Sequence, residues 1–195
     1  MKRYIKADIV SIEDEDMYSQ SDMAARATSP RELARLSEVS DYFVRVMVAQ
    51  NKNTPVDILI KLAKDPAYQV RETVTSNPNT PLEVLQSFVK DPESGPRMSA
   101  SKNPKATPAM LRKFSKDGSF IVRSHVAEHP NTTPAVLRDL ADDWEWTVRW
   151  AVVTNPNTPI EVLYDRLDEE EYPDILKDIR KRIRKYEKIH KSRYN

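Results

Sequence analysis

His125 and His129 stand four residues apart. On a helix they would share one face and could fill two positions around a metal ion. No third ligand stands at a useful spacing, so packing or solvent contact is the favoured reading. Five arginines recur at one interval: Arg45, Arg71, Arg97, Arg123 and Arg149. Such a row could line a phosphate track. Asp65, Asp91, Asp117 and Asp143 precede the last four by six residues each. A ladder of Asp–Arg ion pairs is therefore preferred, because the Asp column has no other evident purpose. All three tryptophans fall in "DDWEWTVRW", at Trp144, Trp146 and Trp150. Exposed tryptophan is a common binding anchor. Trp146 shares a column with Tyr42, Tyr68 and Phe120, which argues for packing between repeats. Trp150 shares one with Val46, Glu72, Met98 and Ser124, a mixed column that suits either exposure or contact with a C-terminal cap. An enzyme that excises a nucleic-acid base needs a recessed carboxylate beside aromatics. Asp142 or Asp143 beside Trp146 fits that poorly. No nucleophile elbow or catalytic dyad is visible. Two glycines, Gly95 and Gly118, exclude a glycine-rich phosphate loop. No catalytic, metal or cofactor residue is assigned.

Binding surfaces are better supported. Lys61, Lys64, Lys90, Arg112, Lys113, Lys116 and Arg138 lie off the apolar faces of their segments. If those segments line the inner side of a repeat stack, they form a basic stripe, weakened toward the C-terminus by Asp139, Asp142 and Asp165. The tail "KDIRKRIRKYEKIHKSR" is the densest basic run, with the acidic Asp168–Glu171 before it. The candidate partner contacts are Lys64, Lys90, Arg112, Lys116, Arg138, Trp150, Arg182 and Lys185. The competing reading of each is a solvated or packing position.

The composition narrows the class. The 195 residues suit one domain and are 39% hydrophobic and 31% charged, which is polar for a globule and normal for an elongated array. Net charge is +1, so any nucleic-acid contact must use local patches. With no cysteine, disulfides, thiolate zinc sites and iron–sulfur clusters are excluded. No apolar run approaches the roughly 18 residues of a membrane span, and the N-terminus lacks a secretory signal pattern. A soluble, cytoplasmic monomer is expected.

The elements that must position these residues come from a repeat. "VTSNPNTPLEVL" from Val74 returns as "VVTNPNTPIEVL" from Val152, 78 residues on, or three steps of 26. Several columns keep the same step. Asn51, Asn77, Asn103, His129 and Asn155 form one; Leu33, Leu59, Leu85, Leu111, Leu137 and Leu163 form another. So many columns in register mark a repeat array. Each unit reads as two short helices. The first carries apolar residues at i and i+4, as at Val70 and Val74, and stops at Asn-Pro. The second starts at "TPLE" or "TPIE", where Thr80 or Thr158 is the expected N-cap, proline takes the first helical position and glutamate completes a capping box. "SPRE" at Ser29 repeats the device. "NPKATP" and "HPNTTP" are expected to carry one extra turn residue, compensated by a shortening before Asp117 and Asp143.

"VRETVTSNPNTPLEVLQSFVKD" resembles the variant leucine-rich repeats of bacterial proteins, over residues ~20–168. The resemblance implies alternating short helices in a right-handed superhelix. One described member carries a cysteine-bound iron–sulfur cluster, which this cysteine-free chain cannot share. The Asp65…Val70-Arg71 spacing is also similar to HEAT repeats, whose Asp and Arg form a ladder between neighbours. The expected fold is therefore an all-α, right-handed superhelical solenoid of about five to six 26-residue two-helix repeats. It would occupy residues 17–168. An N-terminal extension, residues 1–16 with a β-like stretch "YIKADIVSI", would precede it. A basic capping helix in 169–195 would close it, with Ile175, Ile179, Ile183 and Tyr186 at helical spacing. The expected role is a non-catalytic protein-interaction scaffold without cofactors, binding a protein or peptide. The alternative is nucleic-acid binding through the basic stripe and C-terminal helix.

Overall fold

The structure is a computed structural model that describes residues 12–191. The expected all-α repeat architecture is present: the described residues form helices and turns, with no strand among them. First helices α1 (Ile12–Arg26), α3 (Tyr42–Gln50), α5 (Tyr68–Ser76), α7 (Ser94–Lys102), α9 (Phe120–Glu128) and α11 (Trp146–Thr154) alternate with second helices. These are α2 (Pro30–Leu36), α4 (Val56–Leu62), α6 (Leu82–Ser87), α8 (Pro108–Phe114), α10 (Pro134–Ala141) and α12 (Ile160–Glu169). A 3₁₀ turn, Phe88–Lys90, follows α6, and α13 (Pro173–Lys191) is the last described element. Helix α1 opens at Ile12, inside the segment expected to be an extension. The β-like stretch otherwise lies outside the described residues.

The chain divides into two compact units between Val84 and Leu85, within α6. In the first, α3 sits between α1 and α5. In the second, α9 sits between α7 and α11, and α13 covers α11 and α12. The first helices of this second unit touch closely, while α8 and α10 make few contacts with each other.

Apolar spacing explains the core. Val70 and Val74 of α5, Val122 and Val126 of α9, and Val148 and Val152 of α11 are fully buried. The second helices contribute Leu59, Leu85, Leu111, Leu137 and Leu163, likewise at 0% exposure. Ile175, Ile179 and Ile183 of α13 join Val153 and Leu163 in one cluster. Each such burial is worth about 1.5–3 kcal/mol against exposure, so α13 is held by its apolar face. Tyr186, the fourth position of that spacing, is exposed.

The turns differ from expectation in two ways, both traceable to one buried polar network. Helices end at Asn51, Asn77, Asn103, His129 or Asn155, whose ψ values of 124°, 130°, 128°, 133° and 126° are extended. Proline follows four of these and pushes its predecessor out of helix. Lys52 follows Asn51, and the geometry is unchanged. The side chain is thus a common cause. Asn77 Nδ2 donates to Ala49 O at 2.7 Å and Asn51 O at 3.0 Å, while its Oδ1 accepts from Asn79 N at 2.9 Å. Asn51 and Asn155 repeat the pattern on Ala24 and Ala27, and on Ala127 and His129. His129 is a substitute: its Nδ1 accepts from Asn131 N and its Nε2 donates to Asn103 O at 3.1 Å. This Asn ladder closes the helices without left-handed glycine caps, consistent with the absence of positive φ among the described residues.

The second difference concerns the threonines. Thr80 and Thr158 are not caps. They are buried, and their hydroxyls donate to Val74 O at 2.6 Å and Val152 O at 2.5 Å. Thr54 and Thr132 do the same with Val48 and Val126. The cap position belongs to the next residue, which is Pro55 or Pro159 in some repeats and Thr107 or Thr133 in others. Thr107 and Thr133 accept from Met110 N and Val136 N. Ser29 holds the cap position before Pro30 without a side-chain bond. There is consequently no extra residue in "NPKATP" or "HPNTTP". Thr54, Thr80, Ala106, Thr132 and Thr158 all donate their N–H to the Asn or His three residues earlier. The length is constant, and only the cap residue changes.

Removing an Asn amide strands buried carbonyls, each costing about 1–3 kcal/mol. Asn155→Ala should therefore lower unfolding free energy by about 2–3 kcal/mol in urea titrations. His129→Asn, which restores the common residue, should change it by less than about 0.5 kcal/mol.

Candidate functional site

The arginine column is used internally. Arg123 Nε and Nη2 donate to Asp143 Oδ2 and Oδ1 at 2.6 and 2.9 Å, and its Nη1 donates to Asp117 O at 2.8 Å. Arg45 grips Asp65, and Arg97 grips Asp117, with the same two-pronged geometry. Each of these three arginines thus takes the carboxylate twenty residues later. Arg71, Arg97, Arg123 and Arg149 donate to the carbonyl of the aspartate six residues earlier: Asp65, Asp91, Asp117 and Asp143. Each aspartate also organises the start of its own first helix, as Asp117 Oδ1 does by accepting from Ser119 N at 2.9 Å. The carboxylate bond raises the pKa of Arg45, Arg97 and Arg123 above the ordinary arginine value, outweighing burial. Their donors are turned inward, leaving little for a phosphate.

The end of this ladder escaped sequence reading. Arg149 pairs with Glu170, Nε to Oε2 at 2.9 Å and Nη2 to Oε1 at 3.0 Å. Glu170 differs from the Asp column in type and by one residue in spacing, so periodicity alone hides it. Its backbone contact is conventional: Oε1 accepts from Tyr172 N at 3.2 Å. Burial works to raise the Glu170 pKa, but hydrogen bonds from Arg149 and Tyr172 N–H, with the charges of Arg149 and Arg166, bring it below the ordinary value. The Asn ladder is closed in a comparable way. Arg182 donates from Nη1 to Val153 O at 2.5 Å and Asn155 O at 2.9 Å, where a next repeat would place its asparagine. Burial lowers the Arg182 pKa. This candidate contact is therefore committed to holding α13 in place.

The other candidate residues separate by place. Lys64 in the first unit and Lys90 in the second are exposed. Lys61 bonds Ser37 and pairs with exposed Glu38. Arg112 and Lys113 of α8 and Lys116 just after it line a cleft of about 670 Å³ against α10, with Pro108, Ala109, Thr133, Ala135, Val136 and Asp139 completing it. Arg138 is exposed on α10. Lys185 is exposed on α13, as are Arg180, Lys181 and Arg184. Trp150 faces α13, donating from Nε1 to Asp178 Oδ2 at 3.2 Å. It lines a second cleft, of about 760 Å³, between α9, α11 and the start of α13. Trp146 lines the same cleft and stacks on Tyr172 with ring centres 5.6 Å apart. Tyr172 continues the Tyr42, Tyr68, Phe120, Trp146 column by one more step of 26, a signal that was present in the sequence. Those column residues are 39–46% exposed, so each is half-open.

The two histidines are not brought together as ligands. Both His129 nitrogens serve the Asn ladder, and burial foremost lowers the His125 pKa. Among the described residues no group of three or more His, Cys, Asp or Glu could hold a metal. Asp143, the carboxylate beside Trp146 and Trp144, is tied to Arg123, whose guanidinium lies over the Trp144 ring at 5.4 Å. Among the described residues no helix is long and apolar enough to cross a membrane.

Since Glu170 titrates below its unfolded value, its contribution is present above that value and lost as pH falls through the folded one. Glu170→Gln should destabilise the protein by about 2 kcal/mol at neutral pH. The difference from wild type should begin to narrow below about pH 4.3 and close only beneath the lowered folded value. Urea titrations across pH measure this.

No protein-family model matches the chain, and no curated protein matches it. Among solved structures, a leucine-rich repeat variant with a novel repetitive structural motif is similar over 85% of this chain and 81% of that one. Identity is 24% and the TM-score 0.50, a likeness of fold. The resemblance read from the repeat columns holds at that level: the chain has the fold of a leucine-rich repeat variant.

Proposed function

We propose that the chain is a non-catalytic interaction module that seats an acidic protein segment in the cleft between α8 and α10. The observation that carries this reading is the state of the cations there. Arg112, Lys113 and Lys116 are exposed around one concavity with a single carboxylate, Asp139, and none of the three is in an ion pair. The ladder arginines, by contrast, are consumed by buried partners. Clustered unpaired cations attract an acidic partner and speed its encounter. Arg138 adds charge on α10. Stacked repeats commonly serve as binding surfaces. A monomer of this kind needs no cofactor.

A second reading, nucleic-acid binding, is favoured by exposed Arg180, Lys181, Arg184 and Lys185 on α13. The readings separate in one experiment. Labelled acidic peptide and labelled single- and double-stranded oligonucleotides are titrated with the protein between about 50 and 200 mM salt. The acidic peptide should bind, and Arg112→Glu with Lys116→Glu should weaken it at least about tenfold. Arg184→Glu with Lys185→Glu should leave it within about twofold. Preferred oligonucleotide binding, falling along a linear log–log salt slope and lost on reversal in α13, would replace the first reading with the second.

A further inference from the structure

We propose that the cleft between α9, α11 and the start of α13 is a separate site for a peptide segment bearing a lysine or arginine side chain. Trp146, Trp150 and Tyr172 supply aromatic rings, Tyr172 being stacked on Trp146, and Glu128, Asp174 and Asp178 supply three carboxylates. No lysine, arginine or histidine lines it, although α13 carries many cations elsewhere. Glu128 and Asp174 are exposed and in no ion pair. Asp178 gives one carboxylate oxygen to Trp150 Nε1 and keeps the other.

Aromatic faces edged by carboxylates favour a cation that is partly desolvated, because ring quadrupole and full charges then act in the same direction. The protein already makes this contact beside the cleft. The Arg149 guanidinium lies 5.6 Å from the Tyr172 ring centre, and that of Arg123 lies 5.4 Å from Trp144. Both of those cations are held by ladder carboxylates. Tyr172 is thereby occupied, and Trp146 and Trp150 offer the same chemistry in the cleft with no such cation over their rings among the described residues.

Size points to a peptide rather than a small amine. A cleft of about 760 Å³ exceeds what one side chain fills. This site is on the other helical layer from the α8–α10 cleft and takes the opposite charge, so it does not depend on the acidic-partner reading.

The test uses the full chain and an acetylated, amidated tetralysine peptide, with tetraglutamate and tetramethylammonium as comparisons. Binding is followed by tryptophan fluorescence and by the indole N–H signals of Trp146 and Trp150, assigned with single Trp→Phe variants. Tetralysine should bind saturably and shift both indoles. Tetramethylammonium should bind more weakly at the same indoles, and tetraglutamate should leave them unmoved. Glu128→Gln with Asp174→Asn alters only exposed groups and should weaken tetralysine about tenfold, a change of 1.4 kcal/mol, with an unchanged melting curve. Arg112→Glu with Lys116→Glu should bind tetralysine as wild type does, which keeps this result distinct from the acidic-partner reading. Stationary indoles, equal binding of tetraglutamate, or full affinity in the Glu128/Asp174 variant would each overturn the proposal.

Discussion

Short helices joined by tight turns bury many backbone carbonyls, and every one of them needs a donor. That requirement sets the repeat. Asn77 satisfies carbonyls at Ala49 and Asn51, and Asn155 satisfies those at Ala127 and His129. Arg123 joins the Asp117 carbonyl to the Asp143 carboxylate. In each case one side chain serves two successive repeats, so a change of length in either turn would leave a buried polar group unpaired. The 26-residue step is thereby constrained from two sides of the helix pair. Apolar burial supplies much of the driving force, and the polar ladders select the register.

The same logic explains the C-terminal end. A repeat array must stop without exposing its last row of carbonyls or its last buried arginine. Glu170 takes the place of the next aspartate for Arg149, and Arg182 takes the place of the next asparagine for Val153 and Asn155. The apolar face of α13 then covers Val153 and Leu163. The basic character of this tail is thus divided. Arg182 is structural, while Arg180, Lys181, Arg184 and Lys185 remain at the surface.

Repeat period, helix alternation and core columns were legible in the sequence because they recur. The arginine and aspartate columns were also visible, and what stayed hidden was the partner each arginine would choose. Position six residues earlier is met through a carbonyl, and the carboxylate comes from twenty residues later. Spacing along the chain cannot show which of the two a folded arginine reaches. The threonines misled for a local reason: Thr-Pro is a strong capping signal, yet Thr80 is drawn inward to the Val74 carbonyl at the end of α5. Glu170 and Arg182 were illegible because each departs from its column in residue type and spacing. The aromatic–acidic cleft was partly legible through Trp146 and Tyr172. Its carboxylates come from α9 and α13, which no periodicity relates.

Both binding proposals rest on a scaffold whose buried charges are already paired, so that unpaired charge at the surface is meaningful. A double-mutant cycle on Arg123 and Asp143 measures that pairing most directly, using Arg123→Gln and Asp143→Asn singly and together in urea unfolding. Lys61 and Glu38, an exposed pair, give the reference cycle. The ladder pair should show a coupling energy of about 1–3 kcal/mol, against about 0.5 kcal/mol or less for the exposed pair. Equal coupling in the two cycles would contradict the view that the arginine ladder holds the repeats in register.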